Sequence, residues 1–308
     1  MLDAPLVSIG MPVYNGEEYV RRSIESLLAQ DYNNFELNIS DNASDDNTLR
    51  ICEEYASRDN RIRLYKQPFN MGIRANFEKV LEMSTGQFFM WAAVDDFWLP
   101  GFISSLIEEL GHDPDIGVVM CAIDCVFENN RFPPVKIRFH GPDNLNKLSY
   151  LGVAIKLTTL LKVNLFIHGI FRTALVRKAF PLFPDIHSAD RWFLIQIALA
   201  SRFRYLDRVL HIRTLQSKPF YNRYPNEKYG KRIQSFDKTW FDFAVIPVVF
   251  CIISQSPVIP RHRKLFAPIV ITSLFYQRLL LGFRRMAKSF IVHFFPYSLQ
   301  KRFLKSID

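Results

Sequence analysis

From Leu6 onward, short apolar runs alternate with segments whose apolar positions recur at helical spacing, as consecutive βα units do. Leu6 to Met11 reads as a strand. In the segment after it, Val20, Ile24, Leu27 and Leu28 fall at i, i+4, i+7 and i+8, one stripe of an amphipathic helix. Phe35 to Ser40, Ile62 to Tyr65, Phe88 to Val94 and Val118 to Ala122 read as further strands, with helices at Thr48 to Ala56, Ala75 to Met83 and Phe102 to Leu110 between them. The five strands predict one doubly wound, mostly parallel α/β sheet.

Past Cys125 the alternation fails, and Pro133-Pro134, Gly141-Pro142, Pro181 and Pro184 punctuate a less regular stretch. Asp190 to Ala200 reads as a helix, and Trp192, Phe193, Ile195, Ile197 and Leu199 make it apolar all round, hence buried. Residues 243 to 260 carry no charge, but Pro247, Pro257 and Pro260 interrupt them, so a membrane-spanning helix is not favoured. Beyond, Leu, Phe and Ile interleave with Arg278, Arg284, Arg285, Lys288, Lys301, Arg302 and Lys305, a pattern that fits a helix lying in the headgroup plane of an anionic membrane. The alternative is a helical hairpin packed on the α/β domain with a solvated basic face.

Composition narrows the picture. An apolar fraction of 49%, with 28 Phe, excludes a disordered chain. The four cysteines show no CxxC spacing, so neither a zinc site nor a disulfide framework is indicated, and no signal peptide is read at the N-terminus. Net charge is +9, but residues 1 to 130 hold 9 Lys/Arg against 22 Asp/Glu, a net of −13, and residues 131 to 308 hold 30 against 8, a net of +22. This split argues against a uniformly basic nucleic-acid wrapper and favours a basic face that meets something anionic. No zinc, helix-turn-helix or RNA-recognition signature supports nucleic acid as the partner.

Four clusters close the strands of the first half, where open α/β sheets bind ligands. Pro12-Val13-Tyr14-Asn15-Gly16 can offer backbone amides and a flat ring to a heterocycle, or be an ordinary turn. In Asp41-Asn42-Ala43-Ser44-Asp45-Asp46-Asn47-Thr48, Asp41 can accept a base imide hydrogen while Asp45 or Asp46 caps the next helix. Asn70-Met71-Gly72-Ile73-Arg74-Ala75-Asn76 leads into a helix whose N-terminus favours phosphate, with Arg74 adding positive charge; a plain capped helix start is the alternative. In Trp91-Ala92-Ala93-Val94-Asp95-Asp96-Phe97-Trp98 an apolar strand ends in two adjacent carboxylates, which are costly to bury unless a cation or ligand satisfies them.

The order and spacing of these clusters resemble glycosyltransferase family 2, the inverting nucleotide-sugar enzymes of the GT-A fold, well over residues 5 to 125 and more weakly to about 218. The resemblance implies that Pro12, Tyr14 and Asp41 frame the nucleotide base, that Asp95 lies by the ribose or diphosphate, and that Asp96 holds Mg²⁺ or Mn²⁺. Asn15, Asn70, Gly72 and Arg74 complete the expected donor site. The family often carries an Asp where this chain has Ala93, so its three-carboxylate signature is incomplete. Asp190, just before a helix, matches the family's catalytic base, with an N-cap as its alternative role and His187 as a weaker competitor. His168 and Gly169 fall where the family lines its acceptor site, although His168 can equally be a core histidine. "HIRTLQS" resembles a segment often reading Arg-x-His-x-x-Gln-Ser, here with His211 and Arg213 exchanged; Arg213 is expected at the diphosphate.

The resemblance thus implies transfer, hexosyl or deoxyhexosyl, from a nucleoside-diphosphate sugar to a hydroxyl of a lipid-linked or surface-polysaccharide acceptor. Residues 1–225 form the expected GT-A domain, with a nucleotide-binding half (1–125) and an acceptor-facing part (126–225). Residues 226–308 form a basic amphipathic helical region that places the chain in the cytoplasm, peripheral on the inner face of the plasma membrane. The competing reading is a non-catalytic nucleotide- or membrane-binding module on a degenerate GT-A scaffold.

Overall fold

Every residue of β1 (Val7–Val13) except Pro12 is buried, and β2 (Phe35–Asp41) is buried throughout, as a parallel sheet covered on both faces requires. A computed structural model describes residues 4–128, 136–141, 144–159, 161–183, 189–216 and 245–294. Helix α1 (Val20–Leu28) and helix α2 (Thr48–Ala56) connect β1 to β2 and β2 to β3 (Ile62–Lys66), with Val20, Ile24 and Leu27 on the inner face as their spacing predicts. Helix α3 (Ile73–Met83) then returns the chain to β4 (Phe88–Trp91) on the other side of β1.

Strands 3-2-1-4 pair in parallel in that order, which puts a topological switch point between β1 and β4. The fifth anticipated strand, β6 (Ile116–Glu128), belongs to the same sheet but does not neighbour β4. A short strand, β8 (Ile170–Arg172), lies between them, antiparallel to both. Beyond β6 come β9 (Arg202–Gln216), parallel to it, and the two-residue β5 (Phe97–Trp98), antiparallel to β9; β7 (Lys136–Phe139) pairs with β6 off this path. The regular βα alternation fails past β6 because two short antiparallel strands, β7 and β8, and several helices intervene between β6 and its parallel neighbour β9.

Helix α3 lies close on β1 because of Gly10. A Cβ there would stand 2.7 Å from Val80 Cγ2 and 3.0 Å from the Phe89 ring. An aromatic cluster joins the two halves: Trp91 has ring contacts with Phe77, Phe89, Phe171, Phe180 and Phe193 at centroid distances of 4.8 to 6.0 Å. Each such pair adds about 0.5–1.5 kcal/mol beyond the area it buries. Helices α4 (Phe102–His112), α5 (Tyr150–Thr159), α6 (Thr173–Ala179) and α7 (Ala189–Ala200) complete the body. Helix α7 is buried from Arg191 to Leu199, as its all-round apolar sequence predicts.

The prolines divide the charge-free stretch. Helix α8 (Val245–Gln255) ends before Pro257, and Pro260 caps the one-turn α9 (Arg261–Lys264), which leads to α10 (Ala267–Phe294). Among the described residues no helix is long and apolar enough to cross a membrane. Val249, Ile253, Val270 and Leu274 are fully buried, and α10 meets α5 through a Thr158–Ser273 hydroxyl hydrogen bond of 2.8 Å. Arg263 donates to the Leu199 and Ala200 carbonyls, satisfying acceptors left open at the end of α7. Over residues 245 to 280 the helices thus pack on the body by one face, which leaves Ile269, Tyr276 and Leu280 exposed on the other. The boundary expected at residue 225 lies outside the described residues.

Candidate functional site

The loops after β1, β2, β3 and β4 meet at the switch point, held together by side chains acting on backbone amides. Gly16 is the pivot. Its N–H donates to Thr48 Oγ1 at 2.7 Å, and a Cβ at Gly16 would stand 2.7 Å from Val94 Cγ2, so this glycine lies between the two acidic loops. Asn15, in the left-handed region at φ 49°, receives the Asp45 N–H on Oδ1 and donates its own N–H to Ser44 Oγ. Asp46 accepts from Thr48 N, the first residue of α2, and from Glu17 N, while the N-cap position itself is Asn47, whose side chain makes no cap hydrogen bond.

Asp41 is fully buried, and its carboxylate takes Ser44 N at 3.1 Å and Ser44 Oγ at 2.5 Å across a turn in which Ala43 has φ 59°. A non-glycine residue in that region costs about 1–3 kcal/mol, and such strain clusters at ligand sites. Pro12 and Tyr14 flank this turn, half-buried. Asn70 is exposed and acts within the loop: its Oδ1 accepts from Asn42 Nδ2 and Gly72 N, while Asn42 Oδ1 accepts from Met71 N. The Met71 and Gly72 amides are thus occupied within the loop. Gly72, at φ 84°, makes the turn into α3, and Arg74 is exposed, with Nη2 3.4 Å from the Pro181 carbonyl.

The adjacent carboxylates are separated by the turn that follows β4. Asp95 is half-buried, and its carbonyl accepts from Arg22. Asp96 is only 1% exposed, its Oδ2 lying 3.0 Å from His211 Nε2 and its Oδ1 3.2 Å from Thr214 N. An ionised carboxylate only accepts, so Nε2 of His211 carries the hydrogen. His211 stacks on Trp98 at 5.4 Å and 4°, a consequence of the β5–β9 register that pairs these two residues. Burial acts to raise the Asp96 carboxyl, but the hydrogen bond and charge of His211, with smaller contributions from His168 and Arg213, hold it below the usual range. Arg22 joins the same unit, donating to Thr214 Oγ1 at 2.8 Å and lying over the Phe97 ring.

The sequence reading missed Arg22, Thr214 and the pairing of His211 with Asp96. Nothing local marks Arg22, one of two adjacent arginines on a helix. The partnership of Asp96 and His211 spans 115 residues and depends on a two-residue strand.

Arg213 is half-buried on β9, on the same strand face as His211 and opposite Cys125 of β6. The His168 ring lies 5.6 Å from that of His211; its Nδ1 is buried without a hydrogen-bond partner, and burial, then Arg213, push its imidazole down to about 3. It is therefore not a satisfied core histidine. Gly169 has a packing reason, since a Cβ would stand 2.4 Å from the Val119 carbonyl. Asp190 is half-buried in the first turn of α7, beside the buried Arg191. His187 lies outside the described residues.

Asp96 does not fit the metal-holding role expected of it. Asp96 is 1% exposed with one hydrogen bond to each oxygen, Ala93 offers no donor, and among the described residues no three His, Cys, Asp or Glu side chains converge as a metal site. Asp96 instead fixes the loop that carries Asp95.

In fold the chain resembles S. aureus TarS 1-349 in complex with UDP-GlcNAc, at a TM-score of 0.64 and 19% identity over 91% of this chain and 75% of that one. It also resembles mannosyltransferase PcManGT from Pyrobaculum calidifontis in complex with GDP-Man and Mn²⁺, at 0.54 and 14%, over 99% and 85% of the two chains. The mixed α/β sheet is thus of the GT-A type. In sequence it is 34% identical over 128 residues to the putative glycosyltransferase EpsH of Bacillus subtilis, covering 42% of this chain and 36% of that protein. It is 30% identical over 197 residues to an uncharacterized glycosyltransferase of Rickettsia typhi, covering 62% and 58%. The chain thus spans only about a third to three fifths of these curated relatives. The profile of glycosyl transferase family 2 matches residues 8–180, from the first strand through the acidic loops to the helix that follows β8, and the chain belongs to that family.

Proposed function

We propose that this chain is an inverting glycosyltransferase that moves a sugar from a nucleoside-diphosphate sugar to a hydroxyl of a lipid-linked or surface-polysaccharide acceptor. One observation carries the reading: Gly16 draws the Asp41 loop and the Asp95 loop together at the switch point of the sheet, where open α/β folds bind nucleotides. In this reading the base lies against Pro12, Tyr14 and Asp41, and Asp95 meets the ribose or diphosphate. The GT-A domain ends near residue 225, and the basic region from 226 holds the chain peripherally at the cytoplasmic face of a membrane.

Asp190 takes the proton of the acceptor hydroxyl as its oxygen attacks the anomeric carbon. The bond from that carbon to the diphosphate oxygen breaks on the opposite face, and the bonding pair leaves with the nucleoside diphosphate, inverting the configuration. Arg213 and Arg22, gathered around the Asp95–Asp96 turn, supply positive charge near the leaving group. Because the donor set at Asp96 is already occupied, no step is routed through a metal.

Incubating the full chain with a panel of nucleotide sugars, UDP-sugars first because TarS is seen with UDP-GlcNAc, should release nucleoside diphosphate when the acceptor class is present. Asp190→Asn should lower turnover by about 10²–10⁴-fold while leaving donor affinity unchanged. Absence of nucleotide binding in the wild type would refute the reading. Binding without turnover of any donor would favour the non-catalytic module, to which the burial of Asp96 and the Ala at position 93 lend support.

A further inference from the structure

Helix α10 carries apolar residues on two faces. Val270 and Leu274 point into the body and are fully buried, which accounts for one of them. The other holds Ile269, Tyr276 and Leu280, with Thr272, at i, i+7, i+11 and i+3, within about 80° of one another around the helix. These side chains face outward: Ile269 is 47% exposed, Tyr276 63% and Leu280 42%. Leu265, one turn before Ile269 and in line with it, is 76% exposed. A folded helix normally places charged residues on such a face.

The sequence around this helix carries charge of one sign. Arg261 is exposed in α9 just before it, Arg263 and Lys264 are half-buried there with bonds to backbone carbonyls, and residues 243 to 307 of the sequence contain ten Lys/Arg and no Asp or Glu. An acidic protein partner or nucleic acid would use the cations but leave the apolar stripe without a role. A second copy of the chain would bury the stripe but bring like charges together. An anionic bilayer satisfies both features, since its headgroups attract the cations and its acyl boundary accepts Ile, Leu and Tyr side chains.

We infer that the outer face of α10, with Leu265, is a docking surface for an anionic lipid bilayer, on which the helix lies parallel to the membrane plane. This gives the membrane attachment named above a specific surface, and its residues take no part in the nucleotide site.

The test is flotation of the full chain with vesicles of phosphatidylcholine alone or mixed with phosphatidylglycerol, with thermal melting and nucleotide-diphosphate binding measured in parallel. The wild type should float with the anionic vesicles and lose most of that binding at raised salt. The variant Ile269→Ser/Tyr276→Ser/Leu280→Ser should bind them at least about tenfold more weakly while melting as the wild type does. If that variant fails to fold, Arg261→Gln/Lys264→Gln serves instead, and a several-fold loss is expected. A wild type that ignores anionic vesicles, a folded serine variant that binds them equally, or an unchanged charge variant would overturn the inference. So would a wild-type dimer that the serine substitutions dissociate without any effect on vesicles. Loss of nucleotide binding with vesicle binding intact would count against the transferase reading alone.

Discussion

Replacing His211 by alanine tests whether Asp96 anchors the acidic loop. In the folded chain both side chains are buried, 0% and 1% exposed, and the Asp96 carboxylate has two donors, His211 Nε2 at 3.0 Å and Thr214 N at 3.2 Å. The substitution leaves a buried carboxylate with one backbone donor, and removing one partner of a buried pair costs about 3–5 kcal/mol. Loss of the ring stacked on Trp98 adds about 0.5–1.5 kcal/mol, not fully additive with the first. Against a whole-domain stability of about 5–15 kcal/mol this is a large fraction. Asp96→Asn keeps the volume and removes the charge, so it should cost less, about 1–3 kcal/mol. Urea unfolding of wild type, both single variants and the double variant measures the coupling, expected at about 1–3 kcal/mol. A His211→Ala variant within about 1 kcal/mol of wild type, or additive single effects, would refute the argument and return Asp96 to the accessible carboxylates.

Glu36, at the opposite end of β2 from the site, accepts from Ser8 Oγ and Thr85 N, both at 2.6 Å, and from Thr85 Oγ1. Burial works to raise its carboxyl, but these hydrogen bonds together hold it below the usual value. Its stabilisation is therefore complete above the unfolded carboxylate value of about 4.3 and is lost as pH falls through the lower folded value. In acid titrations of stability Glu36→Gln should flatten that decline, and an unchanged slope would contradict the assignment. Gly10→Ala, which forces a methyl against Val80 and Phe89, should lower the urea midpoint by the equivalent of about 1–3 kcal/mol while leaving nucleotide affinity nearly unchanged.

Much of the first half was legible because each of its elements is a local event. The helix read over Thr48 to Ala56 is found at those residues, and β1 to β3 lie within two residues of their expected ends, since apolar period and strand length are written in consecutive positions. The strand expected over Phe88 to Val94 stops at Trp91 because Ala92 to Asp96 turn away to present the acidic pair. Strands β5 and β8, of two and three residues, carry no periodic signal, and their pairing with distant strands decides where they lie.

The sequence alone determined the α/β class, the family resemblance and the loops that close the strands of the first half, because strand-end clusters keep their order and spacing whatever the rest of the chain does. Tertiary structure decided what the individual polar groups face. Asp95 and Asp96 are neighbours in sequence, yet only Asp96 is sealed beneath β9, where His211 and the Thr214 amide take up its charge. Asn70, expected in the donor site, braces its own loop through the Asn42 amide and the Gly72 N–H. Burial and hydrogen-bond saturation depend on residues more than a hundred positions apart, and no local pattern records them.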